Sequence, residues 1–339
     1  MKNSSSNRIN SKSNTVLITG AGGFAGSHLA DLLAERGHVI YGSLAPKELT
    51  GNIAHLKRRL RIVRLDLRNQ QKVRQVVKEV RPVTIYHLAA FSSVGQSFEH
   101  ERLTYEVNFL GTLNLLEATL GALVRRRLTK IVVVGSADSY GIISPKNKTL
   151  TEDTPFAPIS PYGISKVAVE NLAQYYVHRY QLPVTIVRPF NHTGPRQSDT
   201  FALPGFARQI AEVIELGKKP ILRVGDLSVK RDLSDVRDIV AGYELAAQKG
   251  GLGEVYQLCS GRAVSIEAAL KTLVRLSGKK IATQVDPKRL RPADIPILRG
   301  DNSKAIKELG YAPRYRLQDT LADTLNYWRQ QVKQGTGPR

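Results

Sequence analysis

The sequence predicts an α/β protein: a doubly wound parallel sheet with a smaller, interleaved region toward the C-terminus. Three observations carry this. Over residues 15–135, short β-rich apolar runs alternate with amphipathic helical patterns, the signature of parallel βαβ units. A glycine-rich turn joins the first strand pattern to the first helix pattern. Beyond Asn191 the texture changes, with more loops and more Pro, Gly and Arg.

In chain order, residues 1–13 (MKNSSSNRINSKS) are polar and lack an apolar core. They predict a disordered arm rather than a secretory leader. TVLIT (15–19) is the first strand, followed by a helix from Ser27 to Glu35. HVIYG (38–42), RIVRLDL (61–67), TIYHLAA (84–90) and KIVVVGS (130–136) repeat the strand signal, with helical spacing from Val107 to Leu123. An aromatic-rich helix, Val167–Tyr180, precedes the strand VTIVRPF (184–190). The main domain therefore spans 14–190 and is rejoined at about 226–253, where Asp235–Lys249 reads as a helix. Residues 191–225 and 254–330 form the second region, and 331–339 (QVKQGTGPR) a frayed tail.

Composition narrows the function classes. Fifty Lys and Arg against 29 Asp and Glu give a net charge of +21, which favours anionic partners: nucleic acid, acidic membrane or phosphorylated small molecules. No run of about 20 apolar residues is present, which excludes a spanning helix. One cysteine, Cys259, makes no internal disulfide and no zinc site; it reads as a small buried hydrophobe in a cytoplasmic protein. Seven histidines show no ligand spacing, so no metal is expected. No helix-turn-helix, RNA-binding aromatic motif or zinc finger accompanies the charge. Nucleic-acid binding is therefore not expected, and Arg125–Arg127 reads as a solvated face.

The turn after TVLIT reads Gly20-Ala-Gly-Gly23-Phe24-Ala25-Gly26. Its G-x-x-G-x-x-G spacing, between a strand and a helix, allows a tight turn, close backbone approach to a pyrophosphate, and a helix N-terminus facing it. This is the dinucleotide cradle of a Rossmann fold. An acid about 20 residues on normally holds the adenosine ribose of NAD, but Tyr41-Gly-Ser43-Leu-Ala-Pro-Lys47 has none before Glu48. Ser43 and Lys47, with the run Lys57–Arg59, are expected to receive a 2′-phosphate. NADP(H) is thus favoured and NAD(H) admitted. Asp66 and Leu67 are expected along the adenine edge.

Tyr162-Gly-Ile-Ser-Lys166 sets a phenol and an ammonium four apart, on one helical face. The ammonium is expected to lower the phenol pKa toward the working range. Ser136, at the end of a strand, is positioned to hydrogen-bond a substrate oxygen.

With these motifs the chain resembles the extended short-chain dehydrogenase/reductase family over nearly its whole length. The matching residues are TGAGGFAG, DLR (66–68), HLAAFSSV (87–94), Asn108 in NFLGT, Ser136, and Tyr162 with Lys166. RPFNHTGPRQ (188–197), VGDLSVKRDLSDVRD (224–238), VYQLCSG (255–261) and RPADIP (291–296) resemble the enzymes of GDP-6-deoxyhexose metabolism. The resemblance implies that Ser136 polarises a sugar carbonyl, Tyr162 exchanges the proton, and Lys166 holds the nicotinamide ribose. It adds Leu88, Ala89, Ala90 and Asn108 to the cofactor site. It puts Ser92, Asn191 and Arg208 on the sugar nucleotide, and Arg231 and Arg291 on its diphosphate or ribose. It also implies a homodimer through helices at about 103–120 and 162–179.

Two activities of that group are separated by one position. A 4,6-dehydratase of GDP-mannose carries a glutamate two residues before the Tyr-Gly that follows the serine. Here Asp138 occupies that slot, one methylene shorter, and Ala137 beside it offers no acid. The expected activity is therefore reduction by NAD(P)H of a GDP-4-keto-6-deoxy-hexose to GDP-6-deoxy-D-mannose or its talose epimer. The alternative is the dehydratase or another nucleotide-sugar epimerase/dehydratase. His87 reads as a strand-end residue near the cofactor, and His192 as support for the loop beside Asn191.

Overall fold

The computed structural model describes residues 14–142, 149–290 and 295–335. The expected N-terminal arm, Arg291 and residues 336–339 lie outside the described residues.

Seven strands build the central sheet: β1 (Thr15–Thr19), β2 (Val39–Leu44), β3 (Leu60–Arg64), β4 (Thr84–His87), β5 (Lys130–Val134), β6 (Val184–Pro189) and β7 (Val255–Leu258). Their spatial order is β7-β6-β5-β4-β1-β2-β3, and every neighbouring pair is parallel. The winding reverses between β1 and β4, where the carboxyl ends of the strands leave a crevice. The helices are α1 (Phe24–Glu35), α2 (Gln70–Val80), α3 (101–119, through a π turn at Glu106–Leu110), α4 (Pro161–Tyr180), α5 (Ala202–Leu216), α6 (Val236–Lys249), α7 (Ile266–Ser277) and α8 (Leu317–Lys333).

Both sheet faces are covered, which is why the strands read as unbroken apolar runs rather than as alternation. Val16 and Ile18 pack with Leu29 and Leu33 of α1 and Val236, Ile239 and Tyr243 of α6. Leu17, Ile85, Ile131 and Val133 point the other way, against α2, α3 and α4.

The second region packs α5, α7 and α8 around fully buried Trp328. Two boundaries differ from the sequence expectation. Val255–Leu258, expected in the second region, pairs with β6 as the outermost strand of the main sheet, because α6 crosses over and returns the chain parallel. Conversely, Lys230–Asp232, expected in the main domain, pairs with Ala263–Ser265 and Ile297–Leu298 of the second region. Residues 331–333 of the expected frayed tail are helical, and Arg329 and Lys333 both pair with Glu215, at 2.6 and 3.2 Å. Among the described residues no helix is long and apolar enough to cross a membrane.

Candidate active site

The carboxyl ends of β1, β2 and β4–β6 open onto one cleft of about 1040 Å³ that extends to α5 and α7, at the upper end of the range for small-molecule sites. Gly20, Gly23, Phe24, Ala25, Gly26, Ser43, Asp66, Leu67, Leu88, Ala89, Ala90, Ser92, Ser136, Asp138, Tyr162, Lys166, Asn191 and Arg231 all line it.

The glycine turn has the shape of a phosphate cradle. Gly20 adopts φ +71°, and a Cβ there would meet the Ala89 backbone at 2.9 Å. A Cβ on Gly26 would stand 2.1 Å from the Gly20 carbonyl oxygen. Side chains at either position would close the space. The first turn of α1 carries no acidic residue, so its free N–H groups and dipole face the cleft without competition. These features fit a dinucleotide pyrophosphate.

A buried strut supports the cradle. Thr19 Oγ1 accepts from the Ala89 N–H (3.2 Å) and donates to His87 Nδ1 (2.8 Å). His87 Nε2 then donates to Thr112 Oγ1 (2.8 Å), whose hydroxyl donates to the Asn108 carbonyl. A neutral His87 ring with its proton on Nε2 satisfies all of these contacts. Burial, and then the charge of Lys166, press its pKa down to about 3. Asn108 itself does not line the cleft: its side chain donates to Ser165 Oγ (2.8 Å) and accepts from the Phe91 N–H (2.7 Å). It ties the 89–91 segment to α4, behind the cofactor wall.

At the chemical centre, Ser160 caps α4, its Oγ accepting from the Gly163 N–H at 3.0 Å, with Pro161 in the first turn. This sets Tyr162 and Lys166 in the opening turns of the helix. Lys166 Nζ donates to the Val134 carbonyl at 2.7 Å and lies 5.8 Å from the Tyr162 ring centroid. Ser136 Oγ donates to Asp138 Oδ2 at 3.2 Å. Burial brings the Lys166 pKa down to about 8, against the opposing charge of Glu170. Tyr162 departs from the sequence expectation. Burial, and then the charge of Asp138, push its phenol up, with only the Ser136 hydrogen bond pulling the other way. In this arrangement the phenol is held protonated.

At the far end Asn191 lines the cleft, and its Oδ1 is buried with no hydrogen-bond partner among the described residues. Arg231 is held by the carbonyls of Ile295 (2.6 Å) and Lys230 (2.9 Å). Lys288 and Arg289, to which no sequence motif points, also line this end. His192 stacks on Phe24 at 5.7 Å, with its Nδ1 on the Phe190 carbonyl. Arg208 is absent from the lining. It pairs with Asp199 and, at 3.2 Å, with Glu212, and stacks over Trp328, because its face of α5 turns toward α8. Lys47 and the run Lys57–Arg59 are exposed and outside the lining.

Two further acidic groups lie at or behind the cleft. Glu170, one helical turn beyond Lys166, forms a buried ion pair with Arg188 at 2.8 Å; its i+4 spacing was the available signal. Glu48, the first acid after the second strand, reaches the cleft from a loop.

Comparison with known proteins agrees with this geometry. The family model described as GDP-mannose 4,6 dehydratase matches residues 17–324. The GDP-6-deoxy-D-mannose reductase of Pseudomonas aeruginosa is 30% identical over 94% of this chain and 98% of its own length. The structure of RMD from P. aeruginosa complexed with NADPH superposes with a TM-score of 0.80 at 28% identity, covering 94% of this chain and 100% of that one. Thermus thermophilus UDP-glucose 4-epimerase in complex with NAD gives 0.81 at 29% identity, covering 93% and 99%. The chain belongs to the GDP-mannose 4,6 dehydratase family, within the extended short-chain dehydrogenases/reductases.

Proposed function

We propose that the protein is a reductase of a GDP-4-keto-6-deoxy-hexose, giving GDP-6-deoxy-D-mannose or its talose epimer. The observation that carries this reading is Asp138, held against Ser136 at 3.2 Å in the slot beside Tyr162, whose phenol is pushed up by burial and by that carboxylate. A dehydratase must first oxidise the C4 alcohol, which calls for a phenolate to take the hydroxyl proton. A ketone reductase begins with a phenol that has a proton to give. The carboxylate of Asp138 lies against Ser136, and its shorter arm suits it less than a glutamate to reach a 6-hydroxyl.

A bound reduced nicotinamide dinucleotide, NADPH or NADH, supplies the hydride. Ser136 orients the ketone oxygen, and Tyr162 gives its proton to that oxygen as the carbonyl carbon is reduced to an alcohol. Lys166, anchored on the Val134 carbonyl, brings positive charge beside the phenol and stabilises the phenolate that remains. Arg231, Lys288 and Arg289 supply cations suited to a diphosphate, and Asn191 lines the cleft with them.

We also infer a homodimer. Leu110 on α3 and Ile164 and Tyr175 on α4 are exposed apolar side chains on adjacent helices, a surface that sedimentation analysis tests directly.

The deciding experiment is product analysis. GDP-4-keto-6-deoxy-mannose with NAD(P)H is expected to yield the 6-deoxy alcohol with matching loss of the 340 nm absorbance of the reduced cofactor. Formation of a 4-keto-6-deoxy product from GDP-mannose without added reductant overturns the reductase reading in favour of the dehydratase.

A further inference from the structure

We propose that Glu48 selects the adenosine half of the cofactor, accepting a free ribose diol and rejecting a 2′-phosphate, so that the protein prefers NADH to NADPH. The inference rests on the dinucleotide reading of the cleft and deepens it.

Strand β2 ends at Ser43-Leu44 with no acid, but the chain that follows folds back. Glu48 Oε2 accepts from the Ala45 N–H at 2.8 Å. Its Oε1 lies against the glycine turn: a Cβ on Gly22 would stand 2.7 Å from it. The carboxylate thus stands at the end of the cleft lined by Ser43, Ala45 and Pro46. Two contacts fix the loop there. Arg64 Nη1 donates to the carbonyls of Ala45 (3.0 Å) and Glu48 (2.5 Å), and Asn52 Nδ2 donates to the Gly22 carbonyl (3.1 Å).

Charge decides the consequence. A ribose diol presents two hydroxyl donors, and a carboxylate is an acceptor of both. A 2′-phosphate presents only negative charge, which a neighbouring carboxylate repels unless cations intervene. Among the described residues lining this end, the cation is Arg68, and it is engaged by Asp66 at 2.8 Å and Glu106 at 3.4 Å. Arg64, whose charge acts on Glu48, is outside the lining and is held through Nη1 by the Ala45 and Glu48 carbonyls. Lys47 and Lys57–Arg59, the basic residues that favoured NADP from sequence, do not line the cleft.

The test is fluorescence titration of the protein, without sugar nucleotide, by NADH and by NADPH at fixed ionic strength, for the wild type and Glu48→Gln. The wild type is expected to bind NADH more tightly by roughly tenfold or more, the scale of a hydrogen bond to a charged group. In Glu48→Gln the ratio is expected to move toward NADPH by at least about tenfold, chiefly through tighter NADPH binding. A wild type that prefers NADPH overturns the proposal. So does a Glu48→Gln variant of unchanged melting temperature whose two affinities stay the same or fall together. A wild type that binds neither dinucleotide overturns the dinucleotide reading itself.

Discussion

At the scale of single residues the chemistry rests on how burial divides charge between Tyr162 and Lys166. The phenol is pushed up and stays protonated, while the ammonium, at about 8, titrates near neutrality. Raising the pH through 8 therefore removes the cation before it removes the phenolic proton. The reductive rate is expected to fall along a single limb near pH 8. Because the Glu170 carboxylate raises the lysine pKa, Glu170→Gln is expected to move that limb to lower pH; a limb that stays in place assigns it to another group. Tyr162→Phe is expected to lower kcat by roughly 10²- to 10⁴-fold while leaving the dinucleotide dissociation constant nearly unchanged, since Lys166 and the glycine turn are untouched. Tyr162, Lys166 and Ser136 stand out in the sequence because they flank a strand end and a helix start, and Asp138 through the family resemblance. The direction of the tyrosine shift does not, because it depends on burial and on where the Asp138 carboxylate lies.

At the scale of elements, the π turn at Glu106–Leu110 interrupts α3 where Asn108 must turn inward. Its amide spans two elements, bonding Phe91 on the cofactor wall and Ser165 on α4. Asn108→Ala leaves the Phe91 N–H without this acceptor, at a cost of about 1–3 kcal/mol. A lowered melting temperature together with weaker dinucleotide binding is the expected result, and normal binding would show that the wall stands without this tie. The periodic pattern around Val107–Leu123 revealed a helix but not its π turn, since a one-residue slip leaves apolar spacing almost intact. The glycine turn was readable for the opposite reason: no other residue fits where a Cβ would meet backbone within 3 Å. Strand β7 joins the main sheet against the sequence expectation, because four residues among glycine-rich neighbours carry too little periodicity to say which sheet edge they join.

At the scale of the whole molecule, the second region is fastened to the first by a cluster around His28. Its Nε2 donates to the Pro195 carbonyl (2.9 Å), and its Nδ1 accepts from Arg196 Nη2 (2.9 Å). Arg196 also reaches Asp31 at 2.6 Å. Burial, and then the Arg196 charge, lower the His28 pKa to about 4. Between pH 6.5 and 4 the unfolded chain therefore binds a proton at this site that the folded chain refuses. Stability attributable to His28 is complete above 6.5 and falls as the pH drops toward 4, by on the order of 3 kcal/mol in all. His28→Gln is expected to flatten that part of the melting-temperature profile, and an unchanged slope would discard the assignment. The +21 charge finds a partial place at this scale. Arg59, Arg61 and Arg64 are exposed on or beside β3, the outer strand of the sheet, where charge discourages edge-to-edge pairing.

The sequence by itself determined the doubly wound sheet and singled out the glycine turn and the candidate side chains, Ser136, Tyr162 and Lys166, that line the cleft. Each depends on local spacing or on periodicity, which chain order preserves. Tertiary structure alone decided which charged side chains face the cleft. It committed Arg208 to Asp199 and Glu212, left Lys47 and Lys57–Arg59 outside, and brought Glu48 in. A charged side chain goes where its long-range partners and burial lower its free energy, and neither is written in the residues next to it.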